Sequence, residues 1–450
     1  MTTDTAAAFT AKKATLHAAV AASAGVFALR KRTISNLFRY TPRERASSGI
    51  DLAGFNRIIG LDPESTTLDV EGLTTYQDVV TFTLAHGLLP LISPELKHIT
   101  VGGATVGIGI ESSCFRHGFV HDGLVEAEVL LPDGRIVLCR ADNEYGDLFH
   151  ALPNSYGTLG YILRARIRLM PARRFVHLHC TPFSDLREFL DAMEQATHDA
   201  SIDFIEGLCL ERGSFRLMVG RMVDAVRETD DIVRDHIFYR LAAQRSDVYL
   251  TTYDYIFRYD PEWFWNLPET FAYRLFRRFA PLAMRNSGFY SRYTRTKNVL
   301  LAKLPGQRHA KLEPLIQDWE VDWERAAELI EYGMREVELD GKPWVVAPIR
   351  TPATPTLYPV PAQTLYLNLG CYCQVRKVTG KPDYWYTRIM DNKCFELGGL
   401  KMLYSSSFLS REDFDRIYNG RAYAQLKAKY DTSQRAPTLY QKAVGVHHGG

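Results

Sequence analysis

Four glycines, at positions 102, 103, 107 and 109, stand among small and aliphatic side chains in the run TVGGATVGIGIESS (Thr100–Ser113). Glycine lets backbone N–H groups come close to a ligand and take positive φ, the geometry of anion-binding nests, whose usual guest is a pyrophosphate. A tight turn with a bulge between strands would leave the same trace. Two familiar phosphate sites do not fit. A Walker loop needs GxxxxGK[ST], and no Gly-Lys pair follows at that spacing. A dinucleotide fingerprint needs GxGxxG opening a helix, whereas Gly107-Ile-Gly109 continues as Ile110-Glu111-Ser112. A second cluster, NSYGTLGYI (Asn154–Ile162), places Gly157 and Gly160 just before an apolar segment.

The elements that must position these clusters read as α+β with mixed strands. Alternating residues predict strands over 56–61 and 67–70, with Asp62-Pro63 turning between them. Thr75 is a plausible N-cap for a helix that stops at Gly87, and a strand follows over 88–92. Beyond the glycine run, strand 124–131, the turn Pro132-Asp133-Gly134 and strand 135–139 form a hairpin. A helical turn over 147–152 and a long strand over 160–170 complete the first unit. The second unit opens with strand 175–182, helix 184–197 and strands 203–210 and 214–219. After residues 240–310 it resumes with helix 323–337 and strands 343–347 and 365–373. The chain closes with a strand over 400–406, helices from Arg411 and Arg421, and a frayed tail ending HHGG.

At 450 residues the chain exceeds one ordinary core, which rarely grows beyond roughly 250–300 residues, so two domains are expected. A hydrophobic fraction of 46% with 24% charged residues excludes wholesale disorder. The net charge of +2 supplies no global field for a polyanion, so no nucleic-acid partner is expected. The seven cysteines lack paired CxxC spacing and read as reduced thiols packed in the interior, with no metal site. The alanine-rich stretch 14–29 is too short and too weakly apolar for a membrane span or a signal peptide, and reads as a helix of a cytoplasmic protein.

With these pieces in order, the chain resembles the vanillyl-alcohol-oxidase and p-cresol-methylhydroxylase superfamily of FAD enzymes. The matching stretches are TVGGATVGIGIESSCFRHGFVHD (Thr100–Asp122), LLPDGRIV (Leu130–Val137) and DLFHALPNSYGTLGYILRARIRLMP (Asp147–Pro171). Within it the chain is similar to the Δ24-sterol reductase group and its bacterial branched-fatty-acid relatives. That likeness runs through LPLISPELKHITVGG (Leu89–Gly103), GIES (Gly109–Ser112), FIEGL (Phe204–Leu208) and KMLYSSSFLSREDFDRIYNG (Lys401–Gly420). SNLFR (Ser35–Arg39) and YNGRAYAQLKAKYD (Tyr418–Asp431) lean toward the bacterial members.

The resemblance implies a PCMH-type FAD-binding domain over 1–173, an α+β substrate or cap domain over 174–400, and a helical C-terminal segment, 401–450, that returns to the FAD domain. It implies that the loop from Gly102 to Gly109, with Thr100, Gly103, Ala104, Thr105 and Gly107, carries the pyrophosphate. Ser112, Ser113, Gly157, Gly160 and Ile162 would then lie near the isoalloxazine or ribityl chain, while His117 and His121 would bond phosphate or backbone. Where many members carry an RGGGHS-like loop with the attachment histidine, this chain has KRTISNLF, so the FAD is expected to be non-covalent.

Flavin enzymes that reduce or form a C=C bond need a proton partner beside the ring. Glu111, then Glu95 and Tyr404, are the candidates, with Tyr372 and Tyr156 as alternatives. The plain alternative for each Glu is a cap or ribityl contact, and for each Tyr a core aromatic. The implied substrate is a long apolar lipid, a methyl- or methylene-branched fatty acyl chain of a phospholipid, or alternatively a sterol side chain; a lipid-binding flavoprotein without turnover is the reading from another class. Neither the direction nor the electron partner, NADPH or another, can be read, because no NAD(P)H fingerprint is visible. In DYIFRYDPEWFWNLPETFAYRLFRRFAPLAMRNSGFYSRYTRTK (Asp254–Lys297), eight basic residues meet four acidic ones among many aromatics. Such a mixture suits a peripheral site on the inner membrane face, or a homodimer interface.

Overall fold

The structure, a computed structural model, describes residues 3–21, 29–30, 50–265, 271–301 and 312–444. The stretch Ser35–Arg39 and the tail from residue 445 lie outside the described residues. Both main sheets are antiparallel, where mixed strands were expected. In the first, β1 (Ile58–Asp62), β2 (Thr67–Glu71), β3 (Leu88–Pro90), β4 (Leu124–Leu130), β5 (Ile136–Cys139) and β6 (Tyr161–Pro171) lie in the order β1-β2-β6-β4-β5, with β3 on the far end of β6. Its register sets Asp69 and Glu126 opposite Arg166, and Glu71 and Glu128 opposite Arg164. Arg164 donates to Glu126 (2.6 Å) and Glu128 (2.8 Å) and also touches Asp69.

The acids of this sheet face are covered by α1 (Thr3–Ala21). Its Lys12 and Lys13 pair with Glu71 and Glu128, each at 2.6 Å, while Phe9, Leu16 and Val20 pack with Ile50, Leu52 and Phe55. This helix starts eleven residues before the predicted Ala14, and residues 22–28 are outside the described chain. The helix α2 (Tyr76–Leu84) is capped as expected: Thr75 Oγ1 accepts from the Asp78 amide at 3.2 Å. The glycine run folds as α3 (Val101–Val106).

The second sheet has eight strands: β7 (Phe175–Phe183), β8 (Phe204–Glu211), β9 (Ser214–Val223), β10 (Asp247–Thr251), β11 (Leu312–Asp322), β12 (Trp344–Ile349), β13 (Tyr366–Arg376) and β14 (Leu400–Lys401), ordered β10-β7-β9-β8-β12-β13-β11-β14. One face is covered by α4 (Leu186–Ala196), α8 (Ala326–Glu336) and α9 (Trp385–Glu396). Among the helices of the 240–310 segment, between α4 and α8, are α5 (Asp260–Trp265), α6 (Phe271–Phe279) and α7 (Ser287–Leu301). In α4 the buried residues Leu186, Phe189, Leu190 and Met193 fall at helical spacing, and Asp185 caps its first turn. They meet Ile205, Trp319 and Val321 of the sheet in one apolar cluster.

The opposite face turns toward the first domain. There Phe204, Leu208 and Ile349 join Leu68, Val129 and Leu148 in a single continuous core, so the two domains share one interior. Three elements differ from those expected beyond small shifts of their ends. Strand β11 was not predicted at all, the strand expected over 400–406 ends at Lys401, and the segment read as an interruption contributes the edge strand β10. The C-terminal helices α10 (Arg411–Ile417), α11 (Gly420–Tyr430) and α12 (Leu439–Ala443) fold back onto the first domain, where Lys427 donates to Thr158 O at 2.8 Å and Lys429 pairs with Asp147 at 2.7 Å. All seven cysteines are free and buried. Among the described residues no helix is long and apolar enough to cross a membrane.

Candidate active site

Glycines 102, 103, 107 and 109 all keep negative φ, and in this run only Ile108 is left-handed, at 57°. The amides at the start of α3 are already engaged: Val101 N with Thr74 O, Gly102 N with Gly72 O, Gly103 N with Thr100 Oγ1 and Ala104 N with Thr100 O. The positive-φ nest is therefore replaced by a capped helical turn whose glycines serve close approach. A Cβ on Gly102 would lie 2.8 Å from Gly72 O, and one on Gly72 would overlap Ile162 O outright. Gly72, in the strand-to-helix turn, was not singled out from sequence. Gly72→Ala is expected to cost about 1–3 kcal/mol or more through forced backbone displacement, read as a lower urea midpoint together with reduced flavin content.

Of the other predicted cofactor residues, Ala104 and Thr105 are buried behind the turn, whereas Gly103 is exposed on its surface. The second cluster is brought against the first: Tyr156 N donates to Val106 O (3.1 Å) and its hydroxyl to Gly107 O (3.2 Å). Gly157 sits at φ 75° and Gly160 packs on Val129. From the C-terminal segment Lys442 reaches Tyr156 O, which ties this turn down. Ser113 Oγ donates to Leu91 O, and His117 lies half-buried, its pKa lowered to about 4 chiefly by burial.

The GIES segment ends in a charge cluster that the sequence did not reveal. Arg258, buried at 1% exposure, donates to both oxygens of Glu111 (2.8 and 2.9 Å) and to Glu206 on β8. Tyr255, Tyr259 and Phe238 surround its guanidinium at 4.5, 4.9 and 5.7 Å, and the Tyr259 hydroxyl donates to Glu206. Ser112 Oγ lies 2.8 Å from the Tyr255 hydroxyl, and Ser112 O accepts from Ile205 N, joining the two domains here. Arg258 had been grouped with an interfacial surface. It, Asp260, Glu262 and Arg285 are buried instead, because the aromatic residues around them fold inward.

Glu95 faces this cluster from the loop before α3. It is partly exposed, and it has no hydrogen-bond partner among the described residues. Burial, and then the negative charge of Glu111, push its pKa well above the ordinary carboxylate value, with Arg258 opposing. Across from it, Asp318 on β11 accepts from Tyr372 and Tyr404 (each 2.6 Å) and from Asn368 (3.0 Å). Burial still raises Asp318 against these three donors. Tyr372 and Tyr404 likewise retain accessible surface.

Several buried polar atoms have no hydrogen-bond partner among the described residues: Ser93 Oγ, Asn154 Oδ1, both His121 ring nitrogens, Glu320 Oε1 and Asn368 Oδ1. Such atoms cost about 1–3 kcal/mol each when left unmet. Ser93, in the loop before α3, and Asn154, in the second glycine cluster, belong to the two segments that meet at the glycine turn, and the polar edge of a ring system held there would satisfy them. The residues present thus fit a flavin.

The chain is an FAD-dependent oxidoreductase: residues 33–140 match the FAD binding domain family. It is similar to the Δ24-sterol reductase of Homo sapiens, 26% identical over 404 residues that cover 86% of this chain and 75% of that one. The Δ24-sterol reductase of Arabidopsis thaliana is 25% identical over 434 residues, covering 88% and 76%. Cytokinin dehydrogenase 7 of Oryza sativa subsp. japonica is 35% identical over 144 residues, which cover 31% of this chain and 27% of that protein.

Proposed function

We propose that this enzyme adds hydrogen across a C=C bond of a long apolar lipid, that an unsaturated sterol side chain is its substrate class, and that Glu95 supplies the proton. The names of the full-length relatives support the sterol reading. A methyl- or methylene-branched fatty acyl chain asks for the same chemistry and is the competing substrate in the test. The observation that carries the proposal is Glu95 itself, a partly exposed carboxyl beside the Arg258 cluster that has no hydrogen-bond partner among the described residues and whose pKa burial raises.

When bound, FAD supplies hydride exchange at its N5. The second hydrogen must then arrive as a proton, and the acid that delivers it must be protonated at working pH. Glu95, Glu111 and Glu206 crowd one guanidinium, and two of them take its hydrogen bonds. The third is left neutral by the cost of further buried negative charge. Glu111, first in the sequence-based ranking, is better suited to orienting Arg258 than to moving a proton. Tyr372 and Tyr404, fixed on Asp318, would line the path of the apolar chain. Gly103, Gly107 and the Tyr156–Gly157 turn would hold the cofactor by close contact, with Ser93, Asn154 and His121 completing its polar edge.

Tyr404→Phe removes one of three donors on buried Asp318 and is expected to cost about 1.5–3 kcal/mol, read from urea unfolding. The test of the function is anaerobic mixing of the reduced holoenzyme with a sterol carrying an unsaturated side chain, or with a phospholipid carrying an unsaturated branched chain. Flavin reoxidation by the sterol alone supports the proposal, and reoxidation by the phospholipid alone moves the substrate to fatty acyl chains. Bleaching of oxidised flavin by saturated lipid would reverse the direction, and no response to any lipid would leave a binding protein without turnover.

A further inference from the structure

We propose that α6 and the turn after it form a docking surface for an anionic lipid bilayer, positioned to feed an apolar chain into the site. The inference deepens the proposed function in that a lipid substrate gives the surface its use. No residue of α6 is buried. Phe271, Leu275 and Phe279 are 79%, 54% and 72% exposed, and their i, i+4, i+8 spacing puts them on one face. Leu282 and Met284 continue that face and are exposed as well. Arg274 and Arg278 flank it, both exposed, with no ion-pair partner among the described residues. Tyr273 and Ala280, on the other side, turn into the protein.

A surface helix normally buries its apolar stripe and exposes its charges. Here the stripe faces out, and its charges have one sign: from Phe271 to Leu301 the sequence has seven Arg or Lys and no Asp or Glu. Uniform positive charge beside exposed aromatic and aliphatic side chains suits phosphate headgroups over an acyl layer. A second copy of this chain would meet the patch with like charge.

The surface is continuous with the interior. Phe276 of α6 stacks on Phe289 of α7, and the neighbouring Tyr290 packs on Trp263 of α5. Trp263 and Tyr290, with Ile316, Tyr372 and Cys373, line one part of a cavity of about 210 Å³ whose remaining lining, Asp340, Lys342 and Gln374, is polar. Tyr372 is one of its lining residues, and its hydroxyl is the one bonded to Asp318. A chain leaving the bilayer at α6 would thus travel between aromatic rings toward Glu95 and the Asp318 tyrosines.

The test is sedimentation of the flavin-loaded full chain with phosphatidylcholine vesicles, with and without phosphatidylglycerol. Binding to the anionic vesicles that weakens with salt is expected. Arg274→Gln/Arg278→Gln should lower that binding about 30-fold, and Phe271→Asp/Leu275→Asp/Phe279→Asp should abolish it. Both variants should keep their flavin and their turnover on detergent-dispersed lipid, which separates failure of this inference from failure of the lipid reading. Undiminished vesicle binding by the triple variant would overturn the inference. So would absence of binding by the parent protein, or light scattering that finds a parent dimer split by the same substitutions.

Discussion

Replacement of Glu95 by glutamine is expected to slow reoxidation of the reduced flavin by unsaturated lipid about 10²–10⁴-fold, the usual contribution of a positioned acid. Flavin content should not change, because the glutamine keeps the size of the side chain. The pH dependence separates chemistry from folding. As an acid in reduction, Glu95 must be protonated, so the parent rate should be level at low pH and fall as pH rises through the raised pKa. The variant should be flat there. In the opposite direction, dehydrogenation, the carboxylate would be the active form and the parent rate would rise instead. For stability the sign is fixed by the same shift. A carboxyl whose folded pKa lies above its unfolded one contributes stability that is full below the unfolded value and lost as pH rises through the folded value. Glu95→Gln should therefore be no less stable than the parent at neutral and alkaline pH. A variant that loses both turnover and fold at neutral pH would assign Glu95 a structural role.

Arg258→Met is expected to have the largest effect on stability. It leaves Glu111 and Glu206 buried without their shared cation, and removing one partner of a buried pair costs about 3–5 kcal/mol. Arg258→Lys should recover little, because an ammonium cannot serve both carboxylates through the planar fork that Arg258 uses. Adding Glu111→Gln and Glu206→Gln to Arg258→Met should restore much of the loss, since the uncompensated charge is then gone. Urea unfolding of the four proteins reads these differences. The cluster also bridges the domains: Glu111 belongs to the GIES segment, Glu206 to β8, and Arg258 follows β10 in the 240–310 segment. Flavin retention should therefore fall together with stability.

How much of this was legible follows from where the signals live. Hairpin β4–β5, the Thr75 cap and the α4 stripe were readable because local pattern and tertiary environment agree. β11 was not: Asp318 and Glu320 alternate with Trp319 and Val321, a pattern that reads as a solvated face until Tyr358, Tyr372 and Tyr404 meet those carboxylates in the interior. The same kind of misreading placed Arg258 on the surface. Its charge looks interfacial in a run of aromatics, and only the long-range partners Glu111 and Glu206 explain its burial. The signal that could have found them is in FIEGL, where Glu206 interrupts an otherwise apolar strand. The glycine run was legible as a place of close approach but not as a helix. Glycine disfavours helices, and what overrides this is the crowding of Gly102 against Gly72 and Ile162.

The central claim, that a bound flavin exchanges hydrogen with a C=C bond of an apolar lipid, is tested most directly by the visible absorbance of the anaerobic, reduced holoenzyme after a sterol with an unsaturated side chain is added. Return of the oxidised flavin band, together with formation of the saturated sterol, is the predicted result. A protein that purifies with flavin but stays reduced with that sterol and with the unsaturated branched-chain phospholipid would contradict it.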